Sequence, residues 1–258
     1  MTRTLRIGMA QTLVVPGDAD ANLARAADAI AAAAAERCDA VVLPECLDLG
    51  WSWPEAPARA EPIPGPSTER LAEAARSAAV HVVAGLTERD GDRTYNAAVV
   101  IGPDGAILAR HRKIHELDFA RAVYAQGTTL EVADTALGPV GVDICADNAY
   151  ESLALGRALA AMGARILLSP CAWAVPPDFD NSLRPYGDEW ITAYGALARE
   201  TGMPVVGVSN VGPVVGGEWE GWRCIGASLA VGADGEVLAQ LPFGDDAEAL
   251  LALDVPWG

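Results

Sequence analysis

Three side chains set the chemistry open to this sequence. Cys145 stands at the end of the apolar run in GPVGVDICADNAYE, Glu45 closes VVLPE, and Lys113 ends ILARHRKI. A side chain at the end of a buried strand is held rigidly and can still face an opening. A thiol attacks only as its thiolate. Free cysteine has a pKa of about 8.5, so it needs a base or a neighbouring positive charge. A carboxylate can take that proton, and an ammonium can hold an oxyanion. Thiol, carboxylate and ammonium are together the parts of an acyl-transfer site. Each also has an ordinary reading. Cys145 fits a buried core cysteine, Glu45 a strand-end carboxylate turned to solvent, and Lys113 an exposed basic strand end. A Cys/His pair has less behind it, because His81 begins a strand and His111 and His115 only flank Lys113.

The elements that must position these groups follow from pattern. Residues 5–14 alternate as a strand, and Asp18 or Asp20 can cap a helix over about 21–38. Residues 40–45 are short and apolar enough for a buried strand, and the Pro-rich stretch 51–66 has too little periodicity for an element. Ser67 opens a second helix, residues 80–86 form a strand, and 94–114 form a hairpin around Pro-Asp-Gly. Strands are expected near 130–133 and 139–145, a helix over about 150–162, and a strand over 165–171. A long helix precedes the strand in 204–212, and a last hairpin turns at Asp234-Gly235.

The two halves of this list resemble each other. NAAVVIGPDGAILA (96–109) aligns with GASLAVGADGEVLA (226–239), VVLPEC (41–46) with ILLSPC (166–171), and VVAGL (82–86) with VVGVS (205–209). The duplication implies an α/β fold, a four-layer αββα sandwich with an internal pseudo-two-fold repeat. A single α/β sheet is the alternative. No linker separates the halves, so residues 1–258 read as one domain.

Composition narrows the function. The chain has 258 residues, 51% of them apolar and 21% charged, which is globular composition. A net charge of −17 with no basic patch argues against nucleic acid and anionic membrane as partners. No apolar stretch reaches the roughly 18 residues of a membrane span. The N-terminus lacks a signal-peptide core, so a cytoplasmic protein is expected. Five cysteines without CxxC spacing fit free thiols in a reducing compartment, and three histidines suggest no metal site and no cofactor.

Taken together, the sequence resembles the nitrilase, or carbon–nitrogen hydrolase, superfamily. The resemblance is carried by VVLPE around Glu45, YNAAVVIGPDG (95–105), HRKIH around Lys113, GPVGVDICAD around Cys145, and GARILLSPCAW (163–173). PVVGVSNVG and the final hairpin extend it over almost the whole chain. It implies the αββα sandwich, assembly into a homodimer or higher homo-oligomer, and a Glu-Lys-Cys triad carried by Glu45, Lys113 and Cys145. The implied reaction is hydrolysis of a small amide or N-carbamoyl compound through a cysteine thioester. A nitrilase and an acyl transferase share the nucleophile and are the alternatives; a non-enzymatic scaffold is the weaker one. One position departs from the family. The further glutamate usual seven residues after the lysine is Ala120 here, and Glu116 is expected to supply that carboxylate, ahead of Asp118; the alternatives are an enzyme that works without it or a local shift of register.

The neighbours of Cys145 bear on substrate. Nitrilases of the superfamily commonly follow the cysteine with Trp-Glu, whereas Ala146 and Asp147 follow it here, which favours an amide. Branches that hold a substrate carboxylate often place arginine where this chain has Asn148 and Ala149. A guanidinium is the best carboxylate clamp, so a neutral or amine-bearing substrate is expected unless Arg184 or Arg223 reaches the site. The backbone of Ala146, with Asn148, Tyr150, Trp173 and Trp51, is expected to bind substrate, and Trp53 to line the entrance. Trp190 is expected at an interface or in the core, and the other four cysteines are read as packing.

Overall fold

The structure is a computed structural model that describes residues 3–257; Met1, Thr2 and Gly258, the ends of the expected domain, lie outside the described residues. The chain runs β1 (Arg3–Gln11), α1 (Ala19–Ala35), β2 (Ala40–Val42), α2 (Ala56–Arg59), α3 (Pro66–Ala78), β3 (His81–Asp90), β4 (Arg93–Ile101) and β5 (Ile107–Arg112). It continues through β6 (Val132–Thr135), β7 (Gly138–Val142), α4 (Ala154–Ala161), β8 (Ile166–Cys171), β9 (Ala174–Val175) and α5 (Asp188–Thr201). The last strands are β10 (Val205–Ser209), β11 (Val211–Pro213), β12 (Arg223–Ile225), β13 (Leu229–Val231), β14 (Val237–Gln240) and β15 (Ala249–Trp257).

Local sequence starts and stops the helices. Asp18 accepts a hydrogen bond from the Ala21 N–H (3.2 Å) and caps α1. Pro66 opens α3, where its missing N–H costs nothing, and Thr68 satisfies the Gly65 N–H at 2.8 Å. Asp188 and Glu189 lie in the first turn of α5, complementing its dipole, and Gly202 ends it in the left-handed region.

The strands build two six-stranded sheets, ordered β15-β1-β2-β3-β4-β5 and β14-β13-β10-β8-β7-β6, plus a small sheet β11-β12-β9. Written from its other edge, the second sheet repeats the first strand for strand. In both, three central strands run parallel and the hairpin strands and the opposite edge strand run antiparallel. Alternation decides which layer each face meets. Ile7, Met9, Val42 and Val83 enter the core shared with Val140, Val142 and Leu167 of the second sheet. Val41, Val82, Ala84 and Leu86 point the other way, onto Leu23 and Ile30 of α1 and Leu71 and Ala75 of α3. Tyr194 and Leu197 of α5 belong to the core around the second sheet. The result is the expected αββα sandwich with its internal repeat.

Several boundaries differ from expectation. The helix expected over 150–162 is α4 alone, preceded by 3-10 turns at Cys145–Asn148 and Tyr150–Ser152. The strand expected to reach 145 stops at Val142, which frees the next three residues to turn. Strand β15 was not anticipated. It pairs antiparallel with β1 from Arg3↔Trp257 to Gln11↔Ala249 as an edge strand. Its run ALLAL does not alternate, and its Pro256 is tolerated on an edge.

Candidate active site

Glu45, Lys113 and Cys145 all follow the carboxyl ends of strands, where α/β sheets open their binding crevices. The Glu45 N–H donates to the Cys171 carbonyl (3.1 Å), which ties the loop after β2 to β8 of the other sheet. Gly85 makes room for that loop: a Cβ there would stand 2.5 Å from Glu45 Cα. The Lys113 N–H donates to the Asn96 carbonyl (2.8 Å), and the Gly127 N–H to the Lys113 carbonyl (2.8 Å). Cys145 has φ +48°, a left-handed conformation rare for a residue with a Cβ, and its N–H donates to Ser169 Oγ at 3.1 Å. Asp147, two residues on, locks the lysine loop to the cysteine turn. It accepts from the N–H groups of His115 (2.7 Å) and Ile114 (3.1 Å) and contacts His111 Nε2 at 2.7 Å. Burial works against that carboxylate, but His111 and these N–H donors hold its pKa below the usual range.

The polar groups are buried and paired. Glu45 is 1% exposed, Lys113 2% and Cys145 8%. Glu45 Oε1 accepts from Lys113 Nζ and from Asn96 Nδ2, both at 2.6 Å, while its Oε2 has no partner in the protein. Burial opposes the charge on Lys113, yet Glu45, Glu116 and Cys145 overcome it and hold the ammonium well above its ordinary pKa. The neighbouring Cys171 thiol, burial and the Glu45 charge push the Cys145 thiol well up, against the pull of Lys113. Cys145 therefore rests as a thiol beside a carboxylate with one free oxygen.

Glu116 comes to this cluster, its Oε2 at 3.9 Å from Lys113 Nζ, and both its oxygens lack hydrogen-bond partners. Burial raises its pKa to about 7, with Lys113 opposing and Glu45 adding to the rise. Ala120 fills its place with an apolar contact among Trp51, Tyr124 and Cys46. The Asp118 side chain is 97% exposed and faces Arg121 instead.

A cavity of about 330 Å³ opens over Cys145, Glu45 and Lys113. Ala146, Trp51 and Trp173 line it, as expected. Ala146 also lies in the first turn of a 3-10 helix, where backbone N–H groups have no partner within the helix. Two expected residues lie elsewhere. Asn148 is fully buried and donates from Nδ2 to Asp143 (2.8 Å), because the 3-10 turn rotates it into the protein. Tyr150 is 60% exposed and lines an outer cleft. Trp53 packs over Gly17 rather than at the entrance, and neither Arg184 nor Arg223 lines the cavity. Trp190 belongs to the core, as expected, but it also stacks on Trp173 with centroids 5.0 Å apart and walls the cavity. Tyr186, Glu189, Trp219 and Trp222 line it too and were missed. The only sequence signal for them was the density of tryptophan between the second-half strands. Cys38, Cys46, Cys171 and Cys224 are buried free thiols. The Cys171 thiol donates to the Ser169 carbonyl at 3.3 Å, in keeping with a packing role.

Comparisons with known proteins bear on the family and the fold. A Xenopus laevis protein named omega-amidase NIT2-B is 31% identical over 260 residues, covering 97% of this chain and 88% of the relative. The Xenopus tropicalis omega-amidase NIT2 is 34% identical over 178 residues, covering 65% of this chain and 63% of that relative's length. The crystal structure of a carbon–nitrogen hydrolase from Helicobacter pylori G27 superposes with a TM-score of 0.84 at 23% identity, covering 98% of this chain and 89% of that one, and shares its fold. The family pattern described as carbon–nitrogen hydrolase matches residues 6–256, nearly the whole length, and the chain is a member of that family.

Proposed function

We propose that this enzyme hydrolyses a small amide or N-carbamoyl compound through a thioester on Cys145, releasing ammonia or an amine. The observation that carries the reading is the convergence of Cys145, Glu45 and Lys113 on the floor of one cavity, with Glu45 Oε1 held by Lys113 at 2.6 Å and Oε2 free. The omega-amidase names of its relatives support an amide as substrate.

The steps follow from the groups. Glu45 Oε2 takes the thiol proton as Sγ attacks the amide carbon. Lys113 and the Ala146 N–H hold the oxyanion, a function worth on the order of 10²–10³-fold per donor. Protonated Glu45 passes its proton to the departing nitrogen, and the C–N bond breaks to leave the thioester. Glu45 then takes a proton from water, the hydroxide displaces the Cys145 thiolate, Glu45 returns the proton to that thiolate, and the acid leaves. Glu116 stands in for the carboxylate that the family places at the Ala120 position, keeping Lys113 charged from a new backbone site.

The protein works as one domain, on a small molecule and in contact with further copies of itself. The net charge of −17 weighs against nucleic acid and an anionic membrane as partners, and among the described residues no helix is long and apolar enough to cross a membrane. Five buried free thiols support a cytoplasmic setting.

The test is intact-protein mass on wild type and Cys145→Ala mixed with small amides, carbamoyl compounds and nitriles, with ammonia assayed in parallel. Ammonia from amides with wild type alone, and an acyl adduct on it, is the expected result. Acid from nitriles but not amides would replace this reading with a nitrilase.

A further inference from the structure

We propose that the substrate carries a cationic group at the end away from the scissile bond, and that Glu189 at the cavity mouth selects it. The inference rests on the amide-hydrolysis reading of the same site.

The cavity walls are the first reason. Trp173 and Trp190 stack in the lining, 5.0 Å apart and 18° from parallel. Trp219 and Trp222 form a second stacked pair there, 4.3 Å apart and 3° from parallel, with Trp51 edge-on to Trp219 at 5.3 Å. Tryptophan faces carry the negative end of the ring quadrupole and attract cations more strongly than any other side-chain ring. The arrangement already holds one cation in this way: Lys113 Nζ lies 5.8 Å from the Trp51 centroid.

Charge is the second reason. Apart from Glu45 and Lys113, Glu189 is the one ionisable carboxylate or base among the described residues lining the cavity. The positive charge of Lys113 is already answered, by Glu45 at 2.6 Å and Glu116 at 3.9 Å. No arginine lines the cavity, so a carboxylate tail would find no partner and would face Glu189. The approach has the same sign. An outer cleft of about 300 Å³ shares Ala149, Glu189 and Trp190 with the cavity and adds Glu151 and Asp188, with no basic residue in its lining. A cleft of one sign raises the local concentration of the opposite ion. Neutral amides satisfy the aromatic walls alone; a cation satisfies walls and mouth together.

Three amides of equal chain length test this. One is a butanamide ending in trimethylammonium, one its carbon isostere ending in tert-butyl, and one glutaric acid monoamide. For wild type, kcat/KM on the cationic amide is expected to exceed that on the isostere by roughly tenfold, with glutaric acid monoamide the poorest. In Glu189→Gln the gap closes several-fold through KM. Glu189→Lys raises the rate on glutaric acid monoamide relative to the others. Equal wild-type rates on cation and isostere, a preference for the carboxylate, or an equal loss on all three in Glu189→Gln would overturn the proposal. Calorimetric binding of the same three compounds to Cys145→Ala reads charge preference without turnover. Preferential binding of the cation with no hydrolysis by wild type would sink the amidase reading and leave the cation site standing. Hydrolysis without cation preference would do the reverse.

Discussion

Strands β2 and β8 occupy the same place in the two sheets, each parallel to its neighbours on both sides, yet their ends are used differently. At the first, VVLPEC places Glu45 before its final cysteine; at the second, ILLSPC places Pro170 there. The contrast recurs at the next pair. Strand β7 leads into Cys145, whereas β1 ends in Gln11, whose amide is spent on Ser228 and on the carbonyls of Pro242 and Ala247. Strand β5 leads into Lys113, and its counterpart β14 runs on to Leu241. Each half therefore buries only part of the ionisable set. The first places a carboxylate and an ammonium at the cavity, Glu45 and Lys113; the second places the Cys145 thiol and the stacked Trp173–Trp190 wall there. Buried charges are costly unless paired, and at the two halves' interface the first half's own charges, Glu45 and Lys113, pair with each other at 2.6 Å.

The largest expected effect comes from erasing that asymmetry. Glu45→Gln keeps the shape of the loop and removes the base, so kcat should fall by roughly 10³-fold. Ser169→Ala in the other half leaves the Cys145 N–H unpaired and should cost about 1–3 kcal/mol of stability, with a far smaller loss of rate. Steady-state kinetics and denaturant unfolding on both variants would show it. Comparable rate losses would mean that the halves share the chemistry rather than divide it.

Glu116 belongs to the first half, and its burial makes a second, pH-dependent contrast. Its carboxyl is raised from 4.5 to about 7, so the folded state favours the protonated form. That contribution is fully present below pH 4.5 and is lost as pH rises through about 7. At 1.36 kcal/mol per unit the loss is about 3 kcal/mol. In Glu116→Gln it is absent. The stability difference between wild type and variant should therefore move against wild type by that amount between pH 4.5 and pH 8. Urea unfolding at the two pH values measures it, and a difference that does not change with pH would remove Glu116 from the buried cluster.

A matched pair of glycines separates positioning from packing. A methyl group at Gly85 would strike backbone, the Glu45 Cα at 2.5 Å and the Pro44 carbonyl at 2.7 Å. A methyl group at Gly207 would strike the Tyr194 side chain. Displacing a catalytic group by about an ångström costs about 10²-fold. Gly85→Ala should lose that much in kcat, and Gly207→Ala should lose about 1–3 kcal/mol of stability with kcat retained. Kinetics normalised to folded protein would tell the two apart.

What could be read from the sequence follows the range of the interactions involved. Glu45, Lys113 and Cys145 stood out because each follows an apolar run, a local pattern, inside a motif that resembles the family's. The repeat was visible because its hairpins carry the same turn residues. Strand β15 was not visible, since its partner β1 lies at the other end of the chain and its apolar run does not alternate. Tyr186, Glu189, Trp219 and Trp222 reach the cavity from loops and a helix start, where no periodicity marks an inward face. Asn148 and Tyr150 were misplaced for a related reason. They were read as neighbours of Cys145, but the turns after it send one into the core and the other to solvent.

The smallest effect probes the place where the halves should not differ at all. In one hairpin the Gly102 N–H donates to Ala106 O (2.8 Å) and Asp104 Oδ1 accepts from the Ala106 N–H (3.0 Å). In the other, Gly232 donates to Glu236 O (2.9 Å) and Asp234 Oδ1 accepts from the Glu236 N–H (3.1 Å). Gly105 and Gly235 hold φ +79° and +81°, each under an arginine from the covering helix, Arg76 of α3 and Arg199 of α5. Both ladders shift register at the residue pair before the turn, Val100/Ile101 and Ala230/Val231. Asp104→Ala and Asp234→Ala should each cost about 1 kcal/mol. The two values should agree within about 0.5 kcal/mol and add in the double variant, with kcat untouched. A markedly larger loss at Asp234 would tie that turn to the cavity wall of the second half, and the division of labour would then reach beyond the strand ends.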